Sequence, residues 1–372
     1  MAKLRKSLSD KNVIIFVFMS DVKRILVAPL NWGLGHATRC IPIIKALKEE
    51  SYEPVIASDG VALDLLKKEF PDIESFNLPS YNIKYPKKGK NFKLKMLWDS
   101  PKILNAIRSE KKQTKELIKE ANIDGIISDN RFGVYSKKIP SVFITHQLNV
   151  LTGNTTWLSS KMHQNIIKKF DQCWIPDLEG DLNLSGKLGH LKDAQPNIKY
   201  IGPLSRLTKK EMPNIYDLMV ILSGPEPQRS FLEEKLLREL QSFKGNILFV
   251  KGKIEKSQEV RQENHITIYN FMNSKELELA FNASELILSR SGYTTIMDLA
   301  KLEKKAFFIP TPGQYEQEYL AKRLKKDGLV PFSTQDKFCI QKLAKVPVYK
   351  GFTKLPSEET DFKSLFCLFQ GK

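Results

Sequence analysis

Short apolar runs alternate with helical spacing along most of the chain. RILVAPL (24–30), PVIASD (54–59), GIISD (125–129), SVFIT (141–145) and CWIPD (173–177) are continuous apolar stretches. Between them, apolar residues recur every three or four positions, as with Ile41, Ile44 and Leu47. A strand that is apolar at nearly every position is covered on both faces, and such strands joined by helices predict a parallel sheet. Pro42 is expected in the first turn of a helix ending near Glu49. Ser100 and Pro101 are expected as N-cap and first residue of a long helix, where a missing N–H costs little.

The rhythm breaks at NIKYIGPLSRLTKKEMPN (197–214), whose prolines, glycine and charge cluster suit a hinge. It restarts with DLMVILSG (217–224), NILFVKG (246–252), HITIYNF (265–271), LILSR (286–290) and AFFIPT (306–311), again interleaved with helical spacing. The pattern predicts an α/β protein of two Rossmann-like, doubly wound domains facing across a cleft. The expected divisions are an N-terminal extension over residues 1–22, a first domain over 23–205, a second over 206–345 and a tail over 346–372. In the tail, DFKSLFCLF (361–369) is apolar enough to form a helix that docks back on the first domain. A chain of 372 residues suits two such cores.

Composition narrows the classes. No apolar run approaches the ~20 residues that span a bilayer, and VIIFVF (13–18) lacks a clear cleavage site after it. Residues 1–19 read as an extension ahead of the first strand, with Met19 as an alternative start. Cys40, Cys173, Cys339 and Cys367 form no CxxC pair, which predicts reduced thiols in a cytoplasmic protein. The five histidines form no ligand pair, so no metal is expected. The net charge of +17 is concentrated: between Tyr81 and Lys119 there are twelve Lys/Arg against three Asp/Glu. The front of that stretch, from Tyr81 to Trp98, mixes lysines with Tyr, Phe, Met, Leu and Trp, as suits an anionic membrane surface. A solvated lysine-rich loop is the plainer alternative. No zinc-finger, RNP or helix-turn-helix pattern supports nucleic acid.

Strand-to-helix turns are where doubly wound sheets bind ligands. GLGHATR (33–39) places two glycines, Gly33 and Gly35, before His36 at a helix start. The helix dipole disfavours imidazolium there, so a neutral His36 could act as general base; a simple capping histidine is the alternative. Thr38 stands where a nicotinamide fingerprint needs its third glycine. LSRSGYTTIMDLA (288–300) ends a strand and begins a helix, so its N–H groups and hydroxyls could hold a diphosphate. Asp298, a turn further on, could accept hydrogen bonds from ribose hydroxyls. Gln317 and Glu318 follow another strand end and could meet sugar hydroxyls.

These motifs, in this order, resemble glycosyltransferase family 28, whose members have the GT-B fold. The glycine loop ending at His36 resembles that family's N-terminal loop, and FITHQLN (143–149) resembles its His-Glu-Gln-Asn box, bringing in His146, Gln147 and Asn149. IGPLSR (201–206) resembles the family's interdomain linker. The resemblance covers roughly residues 23–330 as short motifs. It implies an inverting transfer of a hexosyl group, N-acetylhexosaminyl groups included, from a nucleotide-sugar, a UDP-sugar in that family, to a lipid-linked or cell-envelope acceptor. No cofactor or protein-bound metal is implied. Donor contacts would come from Arg206, Ser223, Gly224, Ser291, Gly292, Thr294, Asp298, Gln317 and Glu318. Acceptor contacts would come from Gly33, Gly35, Arg39, His146 and Asn149, with His36 as base. An enzyme of this kind is expected in the cytoplasm, peripheral on the inner membrane face.

The chain also departs from the family pattern. Asp298 replaces a glutamate, Glu318 replaces a glutamine, and SGPEPQRS (223–230) replaces a glycine-rich loop. The GxGHxxR spacing, completed by Arg39, also resembles nucleotide-sugar hydrolases of the pseudaminic acid route. Hydrolysis or epimerisation, with His36 activating water in the hydrolase, is therefore a second reading. A basic binding protein without turnover is a third.

Overall fold

The computed structural model describes residues 22–81, 92–191, 193, 195–253, 255–352 and 360–371, with the backbone alone at 92–100 and 154. The first half comprises β1 (Arg24–Pro29), α1 (Gly35–Glu49), β2 (Glu53–Ser58), α2 (Gly60–Glu69), β3 (Ser75–Asn77), α3 (Phe92–Glu120), β4 (Gly125–Asp129), β5 (Ser141–Ile144), α4 (Thr156–Ile167), β6 (Gln172–Ile175) and β7 (Ile198–Tyr200). Its seven strands are parallel, in the order β3-β2-β1-β4-β5-β6-β7. Successive side chains of a strand point to opposite faces. Hence Ile25, Val27 and Ile127 enter one core, while Leu26, Ala28 and Ile126 enter another on the far side. Both faces are filled, which is why Ile25–Ala28 of β1 and Ile126 and Ile127 of β4 are all apolar, with the buried polar Ser128 and Asp129 only at the end of β4.

The second half comprises β8 (Tyr216–Ile221), α5 (Gln228–Glu239), β9 (Ile247–Val250), β10 (Val260–Glu263), β11 (Ile266–Tyr269), α6 (Ser274–Asn282), β12 (Ser284–Ser289), α7 (Tyr293–Lys301), β13 (Lys305–Phe308) and α8 (Tyr315–Lys326). Its sheet runs β10-β11-β9-β8-β12-β13, parallel except for the β10–β11 hairpin at one edge. Both sheets are doubly wound α/β layers, as the apolar rhythm predicts.

Two helix starts differ from expectation. α1 begins at Gly35, so Pro42 lies in its third turn rather than its first. α3 begins at Phe92 and carries Pro101 inside it rather than at its start. A helical proline removes one N–H donor, a local loss that a long helix can absorb with a bend. The segment read as a hinge opens with β7, and its remainder, from Ile201, runs on to β8. The tail forms α9 (Phe362–Phe366), which contacts α1. Phe366 and Phe369 stand edge-on to Tyr52 with ring centroids 5.6 and 6.4 Å away, and Lys23 Nζ donates to the Phe369 carbonyl at 2.6 Å. Most of the basic stretch from Tyr81 to Trp98, and residues 1–21 of the expected extension, lie outside the described residues and side chains. No helix among the described residues is long and apolar enough to cross a membrane.

Candidate active site

In the first sheet the winding reverses between β1 and β4, and ligands of doubly wound sheets bind beyond the strand ends at such a point. β1 leads through Gly33 into α1, and β4 ends in Asp129. Gly33 adopts φ +80°, a left-handed conformation that favours glycine. Three residues apart on α1, His36 and Arg39 share a helix face and meet Asp129. Asp129 is completely buried and Arg39 is 1% exposed.

Asp129 receives Arg39 through both Nε and Nη2, one on each carboxylate oxygen. His36 Nδ1 lies 2.7 Å from Asp129 Oδ1. A carboxylate only accepts, so in the tautomer that bonds Asp129 the imidazole proton is on Nδ1 and the Nε2 lone pair is open; Arg39 Nη2, 2.9 Å from the same Nδ1, is then left to Asp129 as its acceptor. Burial pushes the Asp129 carboxyl up, but the Arg39 and His36 charges and hydrogen bonds outweigh it and hold the group down at about 2. The His36 pKa is lowered as well, which for an imidazole favours the neutral form: burial lowers it, and the pull of Asp129 only partly offsets this. The pair therefore combines a permanent carboxylate with a neutral base.

The cluster continues across the cleft. Arg39 Nη1 donates to His146 Nδ1 at 3.0 Å, which fixes the His146 proton on Nε2. That nitrogen donates to Glu316 Oε1 on α8 at 3.0 Å, and Gln147 Nε2 donates to Glu316 Oε2. His146 stacks on Tyr293 of α7 with centroids 4.3 Å apart and planes 7° from parallel. Thr294 Oγ1 donates to the Gly35 carbonyl at 3.3 Å, so the first turns of α1 and α7 touch. A Cβ added at Gly35 would lie 2.8 Å from Thr294 Oγ1, so this glycine permits the approach. The N-caps of these helices, Leu34 and Gly292, provide no side-chain hydrogen bond.

The remaining predicted residues fall in four places. Ser223 and Gly224 lie exposed beyond β8, with Gly224 at φ +102°. Beside Gly224 is Thr311, 3% exposed, whose hydroxyl has no hydrogen-bond partner among the described residues. Asp298 accepts from Ser205 Oγ at 2.6 Å, and burial raises it to about 6 against the opposing pull of that bond and of Arg206. Arg206 donates through Nη1 to Ser274 at 3.1 Å, while its buried Nε has no partner among the described residues. Ser274 in turn donates to Glu69 of α2 at 2.8 Å, another contact between the two halves.

Gln317 and Glu318 are turned into their own loop. Gln317 Oε1 accepts from the Thr311 amide at 2.8 Å, and Glu318 Oε1 from the Gly313 amide at 3.0 Å. Ser291 Oγ donates to the Gln317 carbonyl at 2.8 Å. Asn149 Nδ2 donates to the carbonyls of Lys187 and His190 at 2.6 and 3.2 Å, bracing a loop of the first domain. The carboxylate that reaches into the cleft is Glu316, which the sequence motifs pass over. Asp129, Gln147 and Tyr293 join it in the cluster. Among the described residues, no group of three or more acidic, histidine or cysteine side chains could hold a metal.

The Glu316 contacts yield a prediction. Charge-assisted hydrogen bonds contribute about 1.5–3 kcal/mol, so Glu316→Ala is expected to lower turnover roughly tenfold. Amide exchange at the start of α8 is expected to quicken. Glu316→Gln keeps an acceptor for His146 and should recover most of the loss. Steady-state rates and hydrogen exchange on the three proteins check this, and wild-type behaviour of Glu316→Ala would refute it.

Comparison with known proteins agrees with the fold. Residues 228–361 match the glycosyltransferase family 28 C-terminal domain. Over 294 residues the chain is 27% identical to the UDP-N-acetylglucosamine–N-acetylmuramyl-(pentapeptide) pyrophosphoryl-undecaprenol N-acetylglucosamine transferase of Buchnera aphidicola, covering 74% of this chain and 77% of that one. Among solved structures, Acinetobacter baumannii MurG superposes with a TM-score of 0.57 at 12% identity, over 94% of this chain and 99% of that one. The spinosyn rhamnosyltransferase SpnG in complex with thymidine diphosphate does so with 0.58 at 12%, over 93% and 96%. The chain is a glycosyltransferase of the GT-B fold. Within that class it resembles MurG, and residues 228–361 match the C-terminal domain of glycosyltransferase family 28.

Proposed function

We propose that this enzyme moves a hexosyl group from a nucleoside-diphosphate sugar, a UDP-sugar in the first instance, to the hydroxyl of a lipid-linked acceptor, with inversion. The observation that carries the reading is the His36–Asp129 pair beside the uncapped starts of α1 and α7. His36 Nε2 takes the acceptor proton as the acceptor oxygen attacks the anomeric carbon, and the bond to the diphosphate breaks on the opposite side. Asp129 stabilises the imidazolium that forms. Amides at the two helix starts offer partial positive charge to the departing diphosphate, an electrostatic contribution that needs no metal. The relatives support the donor class and the acceptor class: one is named for a UDP-sugar and an undecaprenol-linked acceptor, and another binds thymidine diphosphate. The Thr311 hydroxyl beside Gly224, without a hydrogen-bond partner among the described residues, and the Arg206–Asp298 neighbourhood are further donor contacts in this reading.

The test is nucleotide release from a panel of UDP- and other nucleoside-diphosphate sugars, with and without membrane lipid extract. Release that requires the extract, with a sugar-bearing lipid product, is expected. Equal release without acceptor would overturn the transfer reading in favour of hydrolysis.

A further inference from the structure

We infer that Glu69, on the first domain, is a positioning residue for the donor: through the Ser274 hydroxyl it sets the guanidinium of Arg206 on the second domain. Glu69 is the last residue of α2, where the helix dipole disfavours negative charge, so this carboxylate does not serve its own helix. Its side chain is 19% exposed and accepts from Ser274 Oγ at 2.8 Å. A hydroxyl has one proton. With that proton on Glu69, the Ser274 oxygen turns a lone pair to Arg206 Nη1, which donates to it at 3.1 Å. Both bonds of this relay have an ionised partner, which makes them shorter and stronger than neutral ones.

The backbone on both sides of the relay is anchored. Ser274 opens α6 behind a capping box, in which Asn273 Oδ1 accepts from the Glu276 amide at 3.0 Å and Glu276 Oε2 from the Asn273 amide at 2.9 Å. The residues flanking Arg206 are tied to the second domain: Ser205 Oγ donates to Asp298 Oδ1 at 2.6 Å, and the Thr208 amide to Glu278 Oε2 at 2.9 Å. These bonds fix the Arg206 main chain and leave its long side chain to be set by Ser274. Burial disfavours the Arg206 charge, and Asp298 and Glu69 are the carboxylates that counter it.

The relay crosses between the halves at a defined place. Lys68, one residue before Glu69, holds its ammonium 5.7 Å from the centre of the Phe271 ring, so the end of α2 meets residues 271–274 at two points. Lys45 Nζ lies 3.9 Å from Glu69 Oε1, the oxygen that Ser274 does not use. That ion pair stays within the first domain and takes no part in the relay. A neutral hydroxyl links Glu69 to Arg206, so an uncharged acceptor at position 69 should serve nearly as well as the carboxylate. Donor affinity then depends on a residue outside the domain that binds the donor. The inference rests on the reading of Arg206 as a donor contact, and the experiment separates the two.

The experiment is calorimetric titration of the full chain with uridine diphosphate and with thymidine diphosphate. Glu69→Ala and Ser274→Ala are each expected to weaken binding roughly tenfold, the loss of one charge-assisted bond. Glu69→Gln keeps an oxygen acceptor for Ser274 and should stay within about twofold of wild type, as should Lys45→Ala. In an Arg206→Ala background, itself weaker than wild type, Glu69→Ala should have no further effect, because the residue it acts through is gone. A purely structural role, in which Glu69 only joins the two halves, would give the same roughly tenfold loss in that background. That result would overturn the proposal, as would wild-type affinity in Glu69→Ala or a failure of Glu69→Gln to rescue binding. Absence of binding in wild type would remove the donor reading and this inference together, whereas wild-type binding with independent losses at positions 69 and 206 would remove the inference alone.

Discussion

His36→Ala is expected to lower turnover by about 10²–10⁴-fold, the range for loss of a positioned general base. Donor affinity should change little, because His36 is bound to Asp129 rather than to the donor-side helices. A donor-binding titration beside steady-state rates separates the two effects. The pH profile gives an independent check. The base must be neutral, and burial holds its pKa below the ordinary imidazole value of 6.5. Activity in the wild type should therefore stay level as pH falls through 6.5 and decline only at more acidic values. In the variant that decline should vanish along with most of the rate. A wild-type decline centred at or above 6.5 would mean that another group limits the reaction. Full activity in His36→Ala would remove the histidine from the mechanism.

The sequence disclosed the fold better than the site, and the elements show why. Central strands such as β1 and β4 are buried on both faces, so their apolar runs are conspicuous. β3 and β7 are three residues long, and β10, VRQE, is mostly exposed. Edges of that kind carry no core-facing run, and only pairing with a neighbour defines them. His36, Arg39 and His146 stand in motifs visible over a few residues. Asp129 is separated from His36 by 93 positions and meets it only because β4 lies beside β1. Strand order is not encoded in local spacing. Glu316 illustrates a second limit. Motif similarity draws attention to Gln317 and Glu318 as donor contacts, but each helical residue turns the side chain by about 100°, and it is the neighbour one position earlier, Glu316, that bonds His146 and Gln147 of the first domain. Gln317 and Glu318 instead satisfy amides of their own loop. Helix phase sets these contacts, and a motif alone does not contain it.

Asp129 joins fold and chemistry most tightly, and its replacement should damage both. Arg39 is 1% exposed, and two of its guanidinium nitrogens end on this carboxylate. Asp129→Ala leaves that buried cation without its counter-ion, a change that costs about 3–5 kcal/mol in comparable sites. In a protein of 372 residues the loss corresponds to a melting temperature roughly 5 °C lower. Asp129→Asn keeps the volume and one acceptor oxygen, so it should melt at a higher temperature than the alanine variant. It should still lose turnover by about 10²-fold or more, because the carboxylate no longer fixes the His36 tautomer or stabilises its charged form. The acid limb separates this ion pair from general packing. The folded-state pKa of Asp129 lies at about 2, below the unperturbed 3.8. Its contribution is thus fully present above about pH 4 and is lost as pH falls towards 2. Thermal melts of wild type and Asp129→Asn should accordingly converge over that interval and stay parallel above it. A stability gap that persists unchanged down to pH 2 would mean that the side chain acts through shape and hydrogen bonding alone, not as the counter-charge of Arg39.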